Sequence, residues 1–294
     1  MTIADFRFWI SDWRSRFVVL GLVAAVGLTA TQAQVRRQSP KTPRLYIFDG
    51  GRIDGLDTKL FGFEKNEIKE PNFRITSYLI VHPRGTLMWD SGGIPDGAFT
   101  ADGSPVKEGV MAASRQLRPQ LAAAGYAPKD ITWFGLSHYH SDHTANANLF
   151  AGATWIVQKA ERDVMFAGKP VPIMQPAHFS ALQNARTKLL DNEDFDVFGD
   201  GTVVVKTAPG HTPGHQVLFV KLAKTGPVLL AGDLYHYPEE RTTGKTPTFE
   251  FNADQSRVSR ERIESFVKQT GAQLWIEHDI PTHATLPFAP RYLE

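Results

Sequence analysis

The sequence contains no cysteine, which excludes disulfide bonds, thiolate metal sites and a cysteine nucleophile. An excess of charge of one sign is also absent, because 32 Lys and Arg stand against 31 Asp and Glu. Nothing in this balance favours a nucleic-acid partner. The chain has 294 residues, of which 42% are hydrophobic and 21% are charged. Such a composition is typical of a globular protein with a sizeable core.

The first residues differ from the rest of the chain. Arg14 and Arg16 precede an apolar run over residues 17–28, which is shorter than the roughly 20 residues of a membrane-spanning helix. The small residue Ala33 follows and suits a signal peptidase. We therefore expect a signal peptide over residues 1–33, export to the periplasm or the medium, and no stable membrane span after cleavage. A retained anchor is the weaker alternative, and a buried helix is weaker still; the oligomeric state is left open.

Residues 34–43 contain Pro and Arg and predict a linker, after which residues 44–294 predict one globular domain. Strands and helices alternate along this domain, which favours a layered α/β architecture. Two of the strands share the tight turn from His82 to Gly85 and predict a hairpin. The predicted strands cover residues 45–48, 77–81, 86–89, 132–136, 154–158, 203–206, 216–221, 228–231 and 274–276. Helical spacing covers residues 110–124, 159–167 and 255–270, with a short helix after Asp142.

Three of the ten histidines fall within six residues, in the segment His138-Tyr139-His140-Ser141-Asp142-His143. In extended backbone, side chains two positions apart face the same way, so His138 and His140 can converge on one ion. A lone histidine is more often an ordinary core or surface residue, and Asp142 alone would be read as a helix cap. Four such residues together indicate zinc instead. A site rich in histidine and free of thiolates is typical of catalysis.

Three further polar positions follow apolar strand-like runs. His211 lies in the Gly- and Pro-rich turn over residues 207–215, whose rigid backbone would hold it toward a metal, whereas His215 is interpreted as a supporting residue. Asp233 and His278 each end an apolar strand. Taken singly, each has a simpler explanation, because polar residues are common where a strand ends and the chain meets solvent.

The order of these motifs resembles the metallo-β-lactamase superfamily. The resemblance covers nearly all of residues 44–290 and implies a four-layer αββα sandwich with the metal site at one edge of the two sheets. It also implies two zinc ions per chain, with Asp233 bridging them. The first ion would be held by His138, His140 and His211, and the second by Asp142, His143 and His278. The absence of cysteine excludes the branch with a cysteine ligand, and His140 stands where the diiron redox branch usually has glutamate.

Within the superfamily, Asp142 and the bridging Asp233 look most like the quorum-quenching N-acyl homoserine lactonases. This resemblance implies that a hydroxide shared by two zinc ions opens a small-molecule lactone, or another ester, and that Asp142 or Asp233 carries the proton. Those lactonases have a catalytic tyrosine three residues after the bridging aspartate, where this sequence has His236. Tyr235 or His236 is therefore predicted to stabilise the oxyanion.

Other activities share these ligands and remain open: a β-lactamase, a broad esterase or an organophosphate hydrolase. A glyoxalase-type thioesterase ranks lower. That subgroup tends to carry basic residues near its C-terminus for binding glutathione, whereas residues 289–294 contain Arg291 as their single basic residue. A non-catalytic zinc-binding protein is disfavoured by the complete ligand set. Six apolar residues could line an acyl-chain pocket: Phe61, Phe63, Phe73, Met165, Phe166 and Met174. Packing in the core explains each of them as well.

Overall fold

The computed structural model describes residues 39–102, 104–169 and 171–294. The predicted signal peptide and the first part of the predicted linker lie outside these residues. Ser39 to Glu294 form one compact unit, and its first strand begins at Arg44. Among the described residues, no helix combines the length and the hydropathy needed to cross a bilayer.

The strands of the described residues form two sheets. The strands are β1 (Arg44–Ile53), β2 (Phe73–His82), β3 (Gly85–Trp89), β4 (Val106–Glu108), β5 (Met111–Ala113), β6 (Trp133–Gly135), β7 (Thr154–Gln158), β8 (Thr187–Leu190), β9 (Phe195–Asp196), β10 (Val203–Thr207), β11 (Gln216–Leu222), β12 (Gly226–Leu230) and β13 (Gln273–Trp275). The first sheet has the order β4-β5-β1-β2-β3-β6-β7-β8, and the second has the order β13-β12-β11-β10-β9.

The helices of the described residues lie mostly between strands, as in a layered α/β fold. They are α1 (Leu117–Ala123), α2 (Ser141–Thr144), α3 (Lys159–Met165), α4 (Pro238–Thr243), α5 (Ala253–Thr270) and α6 (Ile280–Ala284). The longest, α5, is capped at its start by Asn252, whose side chain accepts a hydrogen bond from the Gln255 amide, and at its end by Gly271 in a left-handed conformation.

Successive side chains of a strand point to opposite faces of its sheet, so each sheet can pack against the other sheet on one face and against helices on the other. In β1, Leu45 and Ile47 pack toward the second sheet, whereas Tyr46 and Phe48 pack with α1 and α3 in the outer layer. In β11, Leu218 belongs to the layer between the sheets. Its neighbours Val217 and Phe219 pack against Ile263 of α5 instead. The architecture is therefore the four-layer αββα sandwich that the sequence predicted.

One predicted helix is wrong in its first half. Residues 110–116 were expected to be helical, but Met111–Ala113 form β5, which pairs with β1 through Ile53 and Met111. Helix α1 begins only at Leu117, where the carboxylate of Asp96 accepts hydrogen bonds from the amides of Leu117 and Arg118. Pairing of β5 with β1 and β4 thus outweighs the helical spacing there. The short strands β4, β5, β8 and β9 were not predicted.

Parallel strand pairs bring distant polar residues to one edge of the sandwich. Strands β12 and β13 are parallel with Leu230 opposite Trp275, so Asp233 and His278 leave the sheet side by side. In the first sheet, β3 and β6 are parallel with Trp89 opposite Gly135. The segment that begins at His138 therefore emerges at the same edge.

Candidate metal centre

Four buried side chains form a first group at this edge. His138, His140, His211 and Asp233 each place one potential ligand atom within 4.8 Å of the others. His140 Nδ1 lies 3.1 Å from His211 Nε2, and Asp233 Oδ2 lies 3.4 Å from His211 Nε2 and 3.6 Å from His138 Nε2. Ligand atoms about 2.0–2.1 Å from a tetrahedral zinc lie roughly 3.3 Å apart. The spacing of the group fits one such ion.

Asp142, His143, Asp233 and His278 form a second group by the same criterion. Here Asp233 uses its other oxygen: Oδ1 lies 3.2 Å from His143 Nε2 and 3.1 Å from His278 Nε2. Asp142 Oδ2 lies 3.5 Å from His143 Nε2 and 3.7 Å from His278 Nε2. Asp233 therefore faces both groups, one carboxylate oxygen to each.

Several of these atoms have no hydrogen-bond partner although they are buried. His138 Nε2, His143 Nε2, His278 Nε2 and Asp233 Oδ1 are all in this state. A buried polar atom without a partner carries a free-energy cost, and such atoms are rare in native proteins. Four of them around one point are explained by cations that they would ligate.

The electrostatics of the site also favour cations. Burial lowers the pKa of His138 well below its ordinary value and that of His140 to about 3, so both imidazoles are neutral ligands at physiological pH. At His143, burial works in the same direction, but the carboxylates of Asp233, Asp142 and Asp90 outweigh it and raise the pKa. The negative charge of these carboxylates, which stabilises a proton on His143, also attracts a metal ion that would replace this proton.

The second ring nitrogen of several ligands is held by an outer partner, as is usual in metal sites. His143 Nδ1 lies 3.2 Å from Asp90 Oδ2, and His211 Nδ1 lies 3.2 Å from Glu250 Oε1. His278 Nδ1 donates to the Arg74 carbonyl oxygen at 2.8 Å. The sequence reasoning missed Asp90 and Glu250. Asp90 directly follows a buried strand, which is a signal that could have found it.

His215 holds the backbone of Asp233 and is not a member of either group. Its Nε2 accepts a hydrogen bond from the Asp233 amide at 3.1 Å, and its Nδ1 donates to the Ala208 carbonyl oxygen at 3.0 Å. Both ring nitrogens are therefore used. Gly232 turns the chain here with φ +48°, and a Cβ on it would lie 2.9 Å from His215 Nε2. Only glycine fits this close approach without strain.

The structure brings His236, but not Tyr235, to the site. His236 Nε2 lies 3.2 Å from Asp233 Oδ2, whereas the Tyr235 ring lies under the Arg260 guanidinium, 4.5 Å away, in the core beside α5. Tyr235 has extended backbone, so consecutive side chains point in opposite directions. The structure therefore does not bring Tyr235 to the cavity. Stabilisation of an oxyanion stays a prediction, and His236 is the one of the two residues placed to do it.

A cavity of about 410 Å³ opens above both groups. Its ligand-side wall includes His140, Asp142, Asp233, His236 and His278. The remaining wall is apolar apart from Ser141: Ile53, Leu56, Leu60, Phe61, Phe73, Val110, Met111, Ile173 and Phe249. Of the predicted pocket residues, Phe61 and Phe73 line this cavity. Phe63 packs in the adjoining core, and Met165, Phe166 and Met174 line a separate surface cavity.

Residues 71–268 match the family described as the metallo-beta-lactamase superfamily, and the chain belongs to it. Among its curated relatives is the N-acyl homoserine lactonase AttM of Azorhizobium caulinodans, which is 28% identical over 85% of this chain and 98% of its own length. The N-acyl homoserine lactonase AiiA of Bacillus thuringiensis subsp. kurstaki is 26% identical over the same shares.

A solved structure of a quorum-quenching N-acyl homoserine lactone lactonase is similar in fold. It has a TM-score of 0.72 and 23% sequence identity, and the match covers 87% of this chain and all of that one. This likeness agrees with the αββα sandwich.

Proposed function

We propose that this protein is a dinuclear zinc hydrolase that opens lactone rings, with N-acyl homoserine lactones as its substrate class. The observation that carries the proposal is Asp233, whose two oxygens face separate groups of buried nitrogen and oxygen ligands under one apolar cavity. The lactonase names of the relatives support it. The first ion would be held by His138, His140 and His211, the second by Asp142, His143 and His278, and both by Asp233.

Zinc bound in these groups would supply a nucleophile by lowering the pKa of water, and it would polarise the lactone carbonyl. The protein's own residues would handle the remaining charge and protons. His236 lines the cavity beside Asp233, so its ring N–H would donate a hydrogen bond to the carbonyl oxygen as negative charge develops there. Asp142 or Asp233 would accept the proton from water and return it to the leaving alkoxide.

The cavity wall favours an uncharged lactone over a β-lactam. The described residues that line it include no Lys or Arg, whereas the carboxylate of a β-lactam antibiotic would need a cationic partner when it leaves water. An acyl chain has no such requirement. The apolar wall on the far side of the ligands suits it instead.

The test is a comparison of kcat/KM for the purified, metal-loaded protein on N-acyl homoserine lactones, simple lactones, β-lactams and aryl esters. We expect two zinc ions per chain and chelator-sensitive hydrolysis of lactones above the other classes. A preference for β-lactams by several orders of magnitude would contradict the substrate class. Two bound zinc ions with no turnover of any substrate would contradict the enzymatic function.

We further propose that the chain is exported, because residues 1–33 have the composition of a signal peptide. Cell fractionation and mass spectrometry of the mature protein check this. We expect the protein in the periplasm or the medium with a new amino terminus after Ala33. A mature protein that begins at Met1 would contradict the proposal.

A further inference from the structure

Three exposed aliphatic side chains surround the mouth of the cavity above the metal groups. Leu60, Val110 and Ile173 line it and are 45%, 50% and 49% exposed. They come from three separate segments: the 3₁₀ turn Thr58–Phe61, the turn between β4 and β5, and the loop before Met174. Single exposed apolar residues are ordinary on protein surfaces. Three that line the same cavity are a group, which we call the apolar rim.

The backbone holds each rim residue in place. The Leu60 carbonyl oxygen accepts a hydrogen bond from the Thr248 amide at 2.7 Å, and the Val110 carbonyl oxygen accepts one from the Asp54 amide at 3.0 Å. The Ile173 carbonyl oxygen accepts one from the Ser141 amide at 2.9 Å. A surface ordered before binding loses less conformational entropy when a ligand arrives. The rim is thus arranged as a binding surface rather than as loose loop tips.

Ile173 is held there against its backbone preference. Its φ is +65°, a left-handed conformation that is a strained outlier for a β-branched residue. The segment is fixed by Ser141 and by the bridge between His140 and Met174, both within the candidate ligand segment. Strain of this kind is concentrated at ligand clamps. The strained backbone presents the aliphatic side chain of Ile173 at the mouth of the cavity.

We infer that the apolar rim binds the part of a lactone's unbranched aliphatic tail that extends beyond the cavity. This inference rests on the proposed function and assigns these three residues the selection of long tails over short ones. Phe61 and Phe73, which lie beside His236 and His278, line the same cavity as the three rim residues. Each methylene that lies on the rim leaves water, so kcat/KM should rise by up to about fourfold per methylene.

The experiment measures kcat/KM of the zinc-loaded protein on N-acyl homoserine lactones with unbranched acyl chains of increasing length, from short to long. Ile173→Asn removes the aliphatic side chain, and asparagine adopts the left-handed conformation more readily than isoleucine. We expect the ratio of wild type to variant to grow with chain length and to reach about tenfold for the longest tails. Val110→Asn, on another segment, should act in the same direction.

Leu189→Asn is the matched control, because Leu189 is also 45% exposed but lies on β8 away from this cavity. It should leave the chain-length dependence unchanged. Bound zinc and the unfolding temperature of each variant verify that the site and the fold are intact. If Ile173→Asn and Val110→Asn lower kcat/KM equally for every tail, or not at all, the rim inference is overturned while the lactonase proposal stands. If wild type opens no lactone of any length, the proposed function fails and the inference fails with it.

Discussion

At the scale of single residues, the chemistry converges on Asp233. Its two oxygens lie 3.1–3.4 Å from imidazole nitrogens of different groups, and its backbone amide is held by His215. No other residue faces both groups by these distances among the described residues. If two ions bind as proposed, Asp233 is therefore the residue whose loss should affect both at once.

We predict that Asp233→Ala releases both metal ions and abolishes lactone hydrolysis, whereas Asp142→Ala weakens only the second ion. Loss of an outer partner costs about 10- to 100-fold in metal affinity or activity, and loss of a direct ligand should cost more. Elemental analysis of the desalted variants, together with kcat/KM, checks this. Two ions retained by Asp233→Ala would contradict the bridging role.

His236 gives a second prediction. If its ring donates a hydrogen bond to the carbonyl oxygen, His236→Phe should lower kcat by roughly 10²–10³, the cost of removing one oxyanion donor, with the metal content unchanged. His236→Tyr would keep a donor near the same place and should recover part of the loss. A His236→Phe variant with wild-type kcat would rule out this role. One that loses zinc would instead make His236 a part of metal binding.

The sequence could predict the ligand set but not its outer partners. The spacing of His138, His140 and His143 is local and requires only extended backbone followed by a turn. Glu250 contacts His211 from an irregular segment that has neither helical nor strand periodicity, so this contact depends on tertiary packing alone. Tyr235 and His236 could not be separated from sequence, because the direction of each side chain depends on how the backbone leaves β12.

At the scale of elements, α3 supports the first group through a buried carboxylate. Glu161 accepts hydrogen bonds from the amides of Tyr139 and Gly214, both at 2.8 Å, and from the Thr212 hydroxyl. One side chain thus ties together the two segments that carry His138, His140 and His211. Burial raises its pKa to about 7 although these donors oppose the shift. Gly214 lies directly against α3, since a Cβ on it would be 2.6 Å from the Glu161 backbone nitrogen.

We therefore predict that Glu161→Gln weakens the first ion by about 10- to 100-fold and leaves the second ion bound. Glutamine has an NH₂ group in place of one carboxylate oxygen. This group would face at least one of the N–H or O–H donors that now bind Glu161, so that hydrogen bond would be lost. Cobalt substitution followed by visible spectroscopy and titration resolves the two sites. Glu193→Gln, at an exposed carboxylate, is the control. Equal weakening of both ions by Glu161→Gln would indicate a general loss of fold rather than a positioning role.

The elements that the sequence predicted best are those buried on both faces or strongly periodic. Predicted residues 154–158 coincide with β7, and residues 255–270 fall within α5. The failure at residues 110–116 has a different origin. There, pairing with Arg52 and Ile53 at the end of β1, far away in the sequence, decides the structure. Such pairings cannot be read from a local pattern.

At the scale of the whole molecule, the candidate ligands are divided between the two sheets. His138 to His143 follow β6 of the first sheet, whereas His211, Asp233 and His278 follow β10, β12 and β13 of the second. The sequence predicted this layering through the family resemblance. It did not order the strands, because the order depends on long-range register that no single segment encodes.

We predict that removal of the metal destabilises the entire fold. Ions present at 100 times their dissociation constant stabilise the native state by about 2.7 kcal/mol per site, and 1 kcal/mol shifts Tm by about 2–4 °C for a domain of this size. Chelation should therefore lower Tm by roughly 5–10 °C for each ion lost, as measured by calorimetry. Readdition of zinc should restore it. An unchanged Tm after complete metal removal would contradict this.

The division of ligands between sheets also makes the centre sensitive to the alignment of the two layers. Any relative slide of the sheets would separate His138 and His143 from Asp233 and His278, since each set moves with its own layer. The residues packed between the sheets, among them Trp89 and Leu218, thus fix the dimensions of the site from a distance. Evolutionary drift in this interior would be constrained by metal affinity as well as by stability, and compensating changes should occur in pairs across the two layers.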